Sequence, residues 1–159
     1  MNQTLVILPT VNERENLPRM AQRLLSLPSK VDVLVVDGNS SDGTGKIADE
    51  LAASHPEIHV LHEPKKNGLG RAYIAGFKWA LARGYEYIFE MDCDFSHDPD
   101  DVPKLLAAAQ NADLVIGSRY INGIRIINWP LSRLMLSKGA ATYVQIITGL
   151  PINDPTGGF

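Results

Sequence analysis

The sequence predicts an α/β fold, in which helices cover both faces of a mostly parallel β-sheet. Short apolar, β-branched runs alternate with amphipathic segments of helical period along the 159 residues. Polar and charged residues follow nearly every apolar run, at the position where the carboxyl ends of parallel strands would meet. Ligands bind at that edge of such sheets, so the pattern also predicts an active site there.

The individual elements follow from β-branched apolar runs, helical spacing and capping residues. We expect strands over residues 5–8, 31–36, 58–61, 87–91 and 114–117. We expect a first helix capped by Asn16, a second over 47–54 that Thr44 opens, and a third over 70–83 that Gly84 ends. Two more helices are expected over 102–110 and 131–148, with a loop over 118–129 between them.

The composition is that of a soluble globular chain long enough for one domain, with 45% hydrophobic and 21% charged residues. The single cysteine, Cys93, excludes an internal disulfide and fits a reducing compartment. The N-terminus lacks a signal-peptide pattern, and no apolar run approaches the roughly 18 residues of a membrane span. The net charge of −3 gives no global attraction to nucleic acid, so no nucleic-acid partner is expected.

The charge is distributed unevenly along the chain. Residues 114–153 contain no acid and carry +4, so the remainder must carry −7 to give the net −3. The four basic residues, which are interleaved with large apolar ones, are Arg119, Arg125, Arg133 and Lys138. Arginine grips phosphate with forked geometry, so this segment suits a phosphate carried on a lipid at a membrane surface. The alternative is an ordinary amphipathic helix with its covering loop.

Two aspartates, Asp92 and Asp94, follow the fourth predicted strand directly. Being two residues apart at a strand end, both can project to one side while Cys93 faces the other and packs as a small residue. Two hard oxygen ligands suit Mg²⁺ or Mn²⁺, with substrate phosphates completing the octahedron. The alternative is a solvated acidic turn, which we favour for the later acids within residues 98–101, since they would complement the dipole of the next helix.

The loop after the second strand has the glycine spacing of a phosphate-binding loop. However, Thr44 stands where the essential lysine belongs and Lys46 comes two residues late, so an ATPase is excluded. Asp37 at the strand end can instead accept hydrogen bonds from a base or ribose, and Asp42 either does the same or caps the next helix. Residues 65–71 combine two lysines, two glycines and a helix start, which fits an anion site or a surface turn equally well.

Taken together, these motifs resemble the family-2 glycosyltransferases of the GT-A fold, and among them most closely the polyprenol-phosphate (dolichol-phosphate) mannosyl synthases. The matching segments run in family order along the chain: LPTVNERENL at 8–17, VD and SDGT within 36–44, GLG at 68–70, MDCDFSHDP at 91–99, GSRY at 117–120, NWPLSR at 128–133, SKGA at 137–140 and DPTGGF at 154–159. Any one of them alone is weak, and the set is specific. The resemblance implies one glycosyltransferase catalytic domain over 1–159, truncated at its C-terminus relative to the family.

The resemblance also implies site residues. The nucleotide would contact Pro9, Val11, Glu13, Val36 and Asp37, together with Asp92, Cys93 and Arg119. The metal and diphosphate would be held by Asp92 and Asp94, with Ser96 near the metal. The catalytic set would be Asp94, Arg119 and Arg133, the arginines meeting the donor phosphates or the lipid phosphate.

The implied reaction is an inverting, Mg²⁺- or Mn²⁺-dependent transfer of a hexose to a polyprenyl or dolichyl phosphate, with mannose from GDP-mannose as the expected donor. Such an enzyme would lie peripherally at the cytoplasmic face of a membrane. Two departures from the family pattern, Val11 for a tyrosine and Gly38 for a second acid, concern recognition of the base. A donor such as UDP-glucose therefore stays open. A saccharide acceptor is a further alternative, and so is a binding module without turnover, because the C-terminal part of the family pattern is missing.

Overall fold

Four parallel strands form the central sheet of the computed structural model, in the spatial order β3-β2-β1-β4. The strands are β1 (Thr4–Thr10), β2 (Asp32–Asp37), β3 (Ile58–His62) and β4 (Tyr87–Glu90). The structure describes residues 3–118, 131–150, 152, 154 and 159. The chain divides into two compact units, Met1–Ala107 and Ala108–Phe159, and the sheet belongs to the first.

The helices are α1 (Asn16–Leu25), α2 (Thr44–Ser54), α3 (Leu69–Leu81), α4 (Val102–Ala109) and α5 (Leu131–Thr148), with a 3₁₀ turn over Pro99–Asp101. The chain steps outward from β1 through β2 to β3 and then returns past β1 to β4. Because parallel crossovers are right-handed, this reversal puts α1 and α2 on one face of the sheet and α3 on the other. The predicted α/β class with helices on both faces is confirmed.

The strand ends are aligned by the register. Thr10 of β1 pairs with Asp37 of β2, and Asp37 pairs with His62 of β3. The loops that follow these strands therefore leave the sheet side by side. This alignment places three chain segments at one edge, where the polar residues of the sequence accumulate.

One cluster of the core lies between the sheet and α3. Leu5 and Ile7 of β1 and Leu34 and Val36 of β2 are fully buried against the apolar face of this helix. Gly76 allows the close approach, because a Cβ at this position would lie 2.7 Å from Cγ2 of Ile7. The docking of α3 in turn fixes the side chains at its N-terminal end, beside the strand ends.

Two sequence predictions need correction. Residues 114–117 form no strand: Leu114 is 72% exposed, and the Gly117 amide donates to the Phe159 carbonyl (2.6 Å) instead of to a neighbouring strand. Asn16 is the first residue of α1 rather than its cap, because its side-chain amide donates to the Glu13 carboxylate (2.7 Å).

The helix expected over 131–148 is confirmed. The loop expected over 118–129 lies almost entirely outside the described residues. Within the described ranges, no helix is both long and apolar enough to cross a bilayer.

Candidate active site

A cavity of about 240 Å³ opens beyond the carboxyl ends of the strands, within the first unit. Its wall is built by residues that follow β1, β2, β3 and β4, completed by the start of α3. The lining residues are Pro9, Thr10, Val11, Glu13, Val36, Gly38, Glu63, Lys66, Asn67, Gly68, Leu69, Ala72, Asp92, Cys93 and Asp94. The polar edge predicted from the sequence is therefore concave.

The loops after β1 and β2 are joined by hydrogen bonds. The Gly38 amide donates to the Thr10 carbonyl (2.9 Å), and the Glu13 amide donates to the hydroxyl of the fully buried Thr44 (2.9 Å). Further bonds of this kind link Asn12 to Ser40 and Ser41. The two loops therefore form one wall, in which several backbone amides donate hydrogen bonds to the neighbouring loop.

Asp42 belongs to this wall as a structural residue. One carboxylate oxygen accepts from the amide (3.0 Å) and the hydroxyl (2.6 Å) of Thr44, and the other accepts from the Arg14 amide (3.1 Å). The hydrogen bond from the Thr44 hydroxyl is the main reason that the pKa of Asp42 is lowered. Of the two interpretations left open by the sequence, the structure supports the cap at the start of α2.

Asp92 faces the cavity and is held by a residue that the sequence analysis missed. The Tyr73 hydroxyl, on α3, donates to Oδ1 of Asp92 (3.0 Å). Burial, followed by the charge of Asp92, raises the pKa of Tyr73, so the hydroxyl stays protonated and remains a donor. Burial and the same charge also raise the pKa of Glu90. Asp92 is thus held through Oδ1, and within the part of the chain that the structure describes no other side chain binds its carboxylate.

Asp94 is oriented by the turn that follows it. Phe95 has a φ of +62°, a left-handed conformation that turns the chain back, and the Ser96 amide donates to Oδ1 of Asp94 (2.9 Å). Burial alone would raise the pKa of Asp94, but the hydrogen bonds from Ser96 and the charge of His97 outweigh it and lower this pKa. Asp94 is therefore ionised at neutral pH.

Cys93 lies between these acids and is buried. Burial, and then the charges of Glu13, Asp94 and Asp92, raise the pKa of its thiol to about 12. The thiol is therefore protonated at neutral pH in this structure. The expectation that Cys93 packs as a small residue is confirmed, although it also lines the cavity.

Asp37, which was expected to contact the nucleotide, is held by Ser40 and His62. Its carboxylate accepts from the Ser40 hydroxyl (2.6 Å), lies 3.6 Å from Nδ1 of His62, and approaches the position of a Cβ on Gly45 to 2.9 Å. Asp37 is buried and does not line the cavity. These contacts hold the loop after β2.

Val11 and Gly38, the two departures from the family pattern, touch each other. A Cβ at Gly38 would lie only 2.8 Å from Cγ2 of Val11 and 3.4 Å from the Thr10 carbonyl oxygen. Any side chain at position 38 must therefore displace the β-branched Val11. Val11 and Gly38 therefore lie side by side in the cavity wall.

The segment after β3 contributes five lining residues. They are Glu63, Lys66, Asn67, Gly68 and Leu69. The segment includes residues 65–71, for which the sequence left an anion site and a surface turn open. The two lysines and the helix start were the signal for residues 65–71, whereas Glu63 was marked only by its position directly after the third predicted strand. Glu63 reaches the cavity wall because β2 and β3 pair in parallel, which brings residue 63 beside Gly38.

The sequence model of the family described as glycosyl transferase family 2 matches residues 5–159. The chain belongs to this family. The undecaprenyl-phosphate mannosyltransferase of Micrococcus luteus is 51% identical over 157 residues, which are 99% of this chain and 65% of that protein. The polyprenol monophosphomannose synthase of Mycolicibacterium smegmatis is 52% identical over 159 residues, covering 99% of this chain and 60% of that protein. The chain thus spans less than two thirds of the length of these relatives.

Among solved structures, the chain is similar to the mannosyltransferase PcManGT of Pyrobaculum calidifontis, solved with GDP-Man and Mn²⁺. The TM-score is 0.52 at 25% sequence identity, and the match covers 58% of this chain and 27% of that one. The similarity supports the GT-A fold for this family-2 glycosyltransferase.

The donor set at the cavity fits a hard divalent cation. Asp92 and Asp94 present carboxylate oxygens. Oδ1 of Asp92 accepts from the Tyr73 hydroxyl, and Oδ1 of Asp94 accepts from the Ser96 amide. Among the described residues, no group of three or more potential protein ligands converges. A cation here would take its remaining ligands from water and phosphate oxygens, as Mg²⁺ and Mn²⁺ do in phosphate sites.

Three other predicted site residues do not line this cavity within the described part of the chain. Ser96 is exposed, does not line the cavity, and orients Asp94. Arg119 lies outside the described residues. Arg133 falls within α5, and its side chain is likewise outside what the structure describes.

Proposed function

We propose that this chain is the catalytic part of a metal-dependent inverting glycosyltransferase that moves mannose from GDP-mannose to a polyprenyl phosphate. The observation that carries the proposal is the pair Asp92 and Asp94 at one end of a cavity that crosses the strand ends. Two relatives with more than half of their matched residues identical are named for mannosyl transfer to such lipid phosphates. We further propose that residues 1–159 act as one catalytic domain.

Asp92 and Asp94 would hold Mn²⁺ or Mg²⁺, with Ser96 keeping Asp94 in place. The solved mannosyltransferase that carries Mn²⁺ favours that ion. When bound, the cation supplies charge neutralisation on the departing nucleoside diphosphate. The cavity wall formed by Pro9, Val11, Glu13 and Val36 would bind the nucleoside.

The acceptor is suited to reaction without a strong base. A phosphate monoester is largely doubly ionised near neutral pH, because its second pKa is about 6. An oxygen of the lipid phosphate attacks C1 of mannose as the bond from C1 to the diphosphate oxygen breaks, and the electron pair leaves with GDP. Attack from the face opposite the leaving group inverts C1. Arg119 and Arg133 would neutralise the phosphates that meet there.

Peripheral contact with the cytoplasmic face of a membrane would bring this acceptor to the site. The described part of α5 exposes several large apolar side chains, including Leu136 (76%) and Ile146 (75%). The helix carries Arg133 and Lys138 and no acid. Apolar and basic groups on one helix suit binding to an anionic lipid surface.

The test is transfer of radiolabelled mannose from GDP-mannose into the organic-solvent extract, with polyprenyl phosphate as acceptor and Mn²⁺ present. We expect labelled lipid with the wild-type chain and background with Asp94→Asn. Neutral polyprenol of the same length is the matched acceptor control and should stay unlabelled. Label from UDP-glucose, or label on a saccharide instead of the lipid, would favour the alternative donor or acceptor. Donor binding without release of GDP would favour a binding module.

A further inference from the structure

The acids that follow β1, β2 and β3 are not equivalent. The Glu13 carboxylate accepts from the Asn16 amide (2.7 Å), Asp37 is not part of the wall, and Gly38 has no side chain. Glu63 is half-buried in the wall, and within the described part of the chain no hydrogen bond or ion pair engages its carboxylate. Its backbone is fixed, since the Glu63 amide donates to the Asp37 carbonyl (2.8 Å).

Glu63 also lies at the correct end of the cavity for a base. It follows β3, whereas Asp92 and Asp94 follow β4, and these strands are the two edges of the four-stranded sheet. Three strand spacings separate them, or about 14 Å. In a nucleoside diphosphate held through its phosphates at Asp92 and Asp94, the ribose comes next and the base falls toward β3.

On these grounds, and resting on the proposed function, we infer that Glu63 selects the base of the donor: its carboxylate accepts two hydrogen bonds from guanine. Guanine presents two adjacent donors, N1–H and the 2-amino group, which match the two oxygens of one carboxylate. Uracil presents a single N3–H between two carbonyl oxygens, which repel a carboxylate. A site with a buried hydrogen-bonding group discriminates strongly against an analogue that lacks the partner.

Inosine diphosphate isolates this contact, because it differs from GDP only in lacking the 2-amino group. Dissociation constants of GDP, IDP and UDP would be measured by calorimetry with Mn²⁺ on the 159-residue chain. We expect the wild type to bind GDP at least about tenfold more tightly than IDP, since a hydrogen bond to a charged group is lost. In Glu63→Gln that ratio should fall to within about twofold, because the amide cannot accept both bonds.

Glu86→Gln is the matched control, since Glu86 is exposed and does not line the cavity. It should keep the wild-type preference. A wild-type chain that binds GDP and IDP equally, or Glu63→Gln with an unchanged ratio, would overturn the role of Glu63 while metal-dependent GDP binding still supports the proposed function. Absence of metal-dependent GDP binding in the wild type would overturn both.

Discussion

At the scale of single residues, the site depends on side chains that hold the two acids in place. Tyr73 is buried on α3, and its hydroxyl reaches Asp92 at 3.0 Å. Partners of this kind fix the orientation of a ligand and leave its other oxygen for the metal. Tyr73 is therefore a positioning residue for Asp92.

Tyr73→Phe should weaken Mn²⁺ binding in the presence of GDP by about 10–100-fold, the usual cost of losing a partner of a metal ligand. The reason is that Phe leaves Asp92 free to rotate while keeping the ring in the core. Calorimetric titration with Mn²⁺ measures the effect. Tyr143→Phe is the control, because Tyr143 is 66% exposed on α5. Equal Mn²⁺ affinity in the wild type and Tyr73→Phe would show that Asp92 needs no such support.

His62 gives a pH-dependent contribution to stability. Its Nε2 lies 2.9 Å from Asp49 and its Nδ1 lies 3.6 Å from Asp37. The hydrogen bond with Asp49 is the main cause that raises the pKa of His62 above its ordinary 6.5. A raised pKa means that the stabilisation is fully present below the unfolded pKa and is lost as the pH rises through the folded pKa.

We therefore expect His62→Gln to lower the free energy of unfolding at pH about 5.5 and to have little effect at pH about 8.5. Because His62 is half exposed, the difference should be less than about 1 kcal/mol. Urea unfolding of both proteins at the two pH values measures it. Asp49→Asn should show the same trend, and a His62→Gln effect that grows with pH would refute the ion pair.

Some of these residues could be predicted from the sequence and others could not. Asp92 and Asp94 were recognisable because their spacing at a strand end is a local pattern. Tyr73 was not, because it looks like any core residue of α3 until the helix is docked. Asp37 was expected to contact the nucleotide, and this stays a prediction. Its hydrogen bond from Ser40 and its proximity to His62 could not be read from the sequence, because they depend on how the loop after β2 folds.

At the scale of elements, the position of α3 determines the geometry of the site. A Cβ on Gly76 would lie 2.7 Å from Cγ2 and 2.9 Å from Cδ1 of Ile7, so the helix rests directly on β1. The same helix carries Tyr73 toward Asp92 and starts at the cavity wall. Displacing α3 would therefore disturb both the core and the site.

Gly76→Ala should destabilise the protein by about 1–3 kcal/mol through overpacking, although alanine is the better helix former. Gly70→Ala is the matched control on the same helix, because a Cβ there meets nothing within 4 Å. It should be neutral or stabilise by up to about 1 kcal/mol. Denaturant unfolding of both variants provides the comparison. Two variants with equal stabilities would contradict the close contact of α3 with β1.

The elements themselves were largely predictable. The four observed strands are short runs rich in apolar, β-branched or aromatic residues, which the sequence identifies. Their spatial order was not predicted, because it depends on which strands pair. Residues 114–117 have the same local character and still form no strand, since pairing depends on a neighbour that composition does not reveal. The hydrogen bonds between the loops after β1 and β2 also depend on tertiary structure, because they join residues 28 or more positions apart.

At the scale of the whole molecule, charge is distributed unevenly along the chain. The carboxylates of the cavity belong to the first compact unit, whereas the positively charged segment belongs to the second. Under the proposed function, a donor with its metal would need the cavity carboxylates, and an anionic lipid acceptor would suit the positively charged segment. Loss of donor binding should therefore follow substitution at Asp92 or Asp94 and not at Lys138.

Metal-dependent binding of a guanine nucleotide at Asp92 and Asp94 is tested by the melting temperature with GDP, GDP-mannose, UDP and UDP-glucose, each with and without Mn²⁺. A ligand at about 100 times its dissociation constant stabilises by roughly 2.7 kcal/mol, which corresponds to about 5–10 °C for a chain of this size. We predict this shift for the guanine ligands with Mn²⁺ in the wild type and in Lys138→Ala, and no shift in Asp94→Asn. A shift that needs no metal, that persists in Asp94→Asn, or that only uridine ligands produce would contradict it.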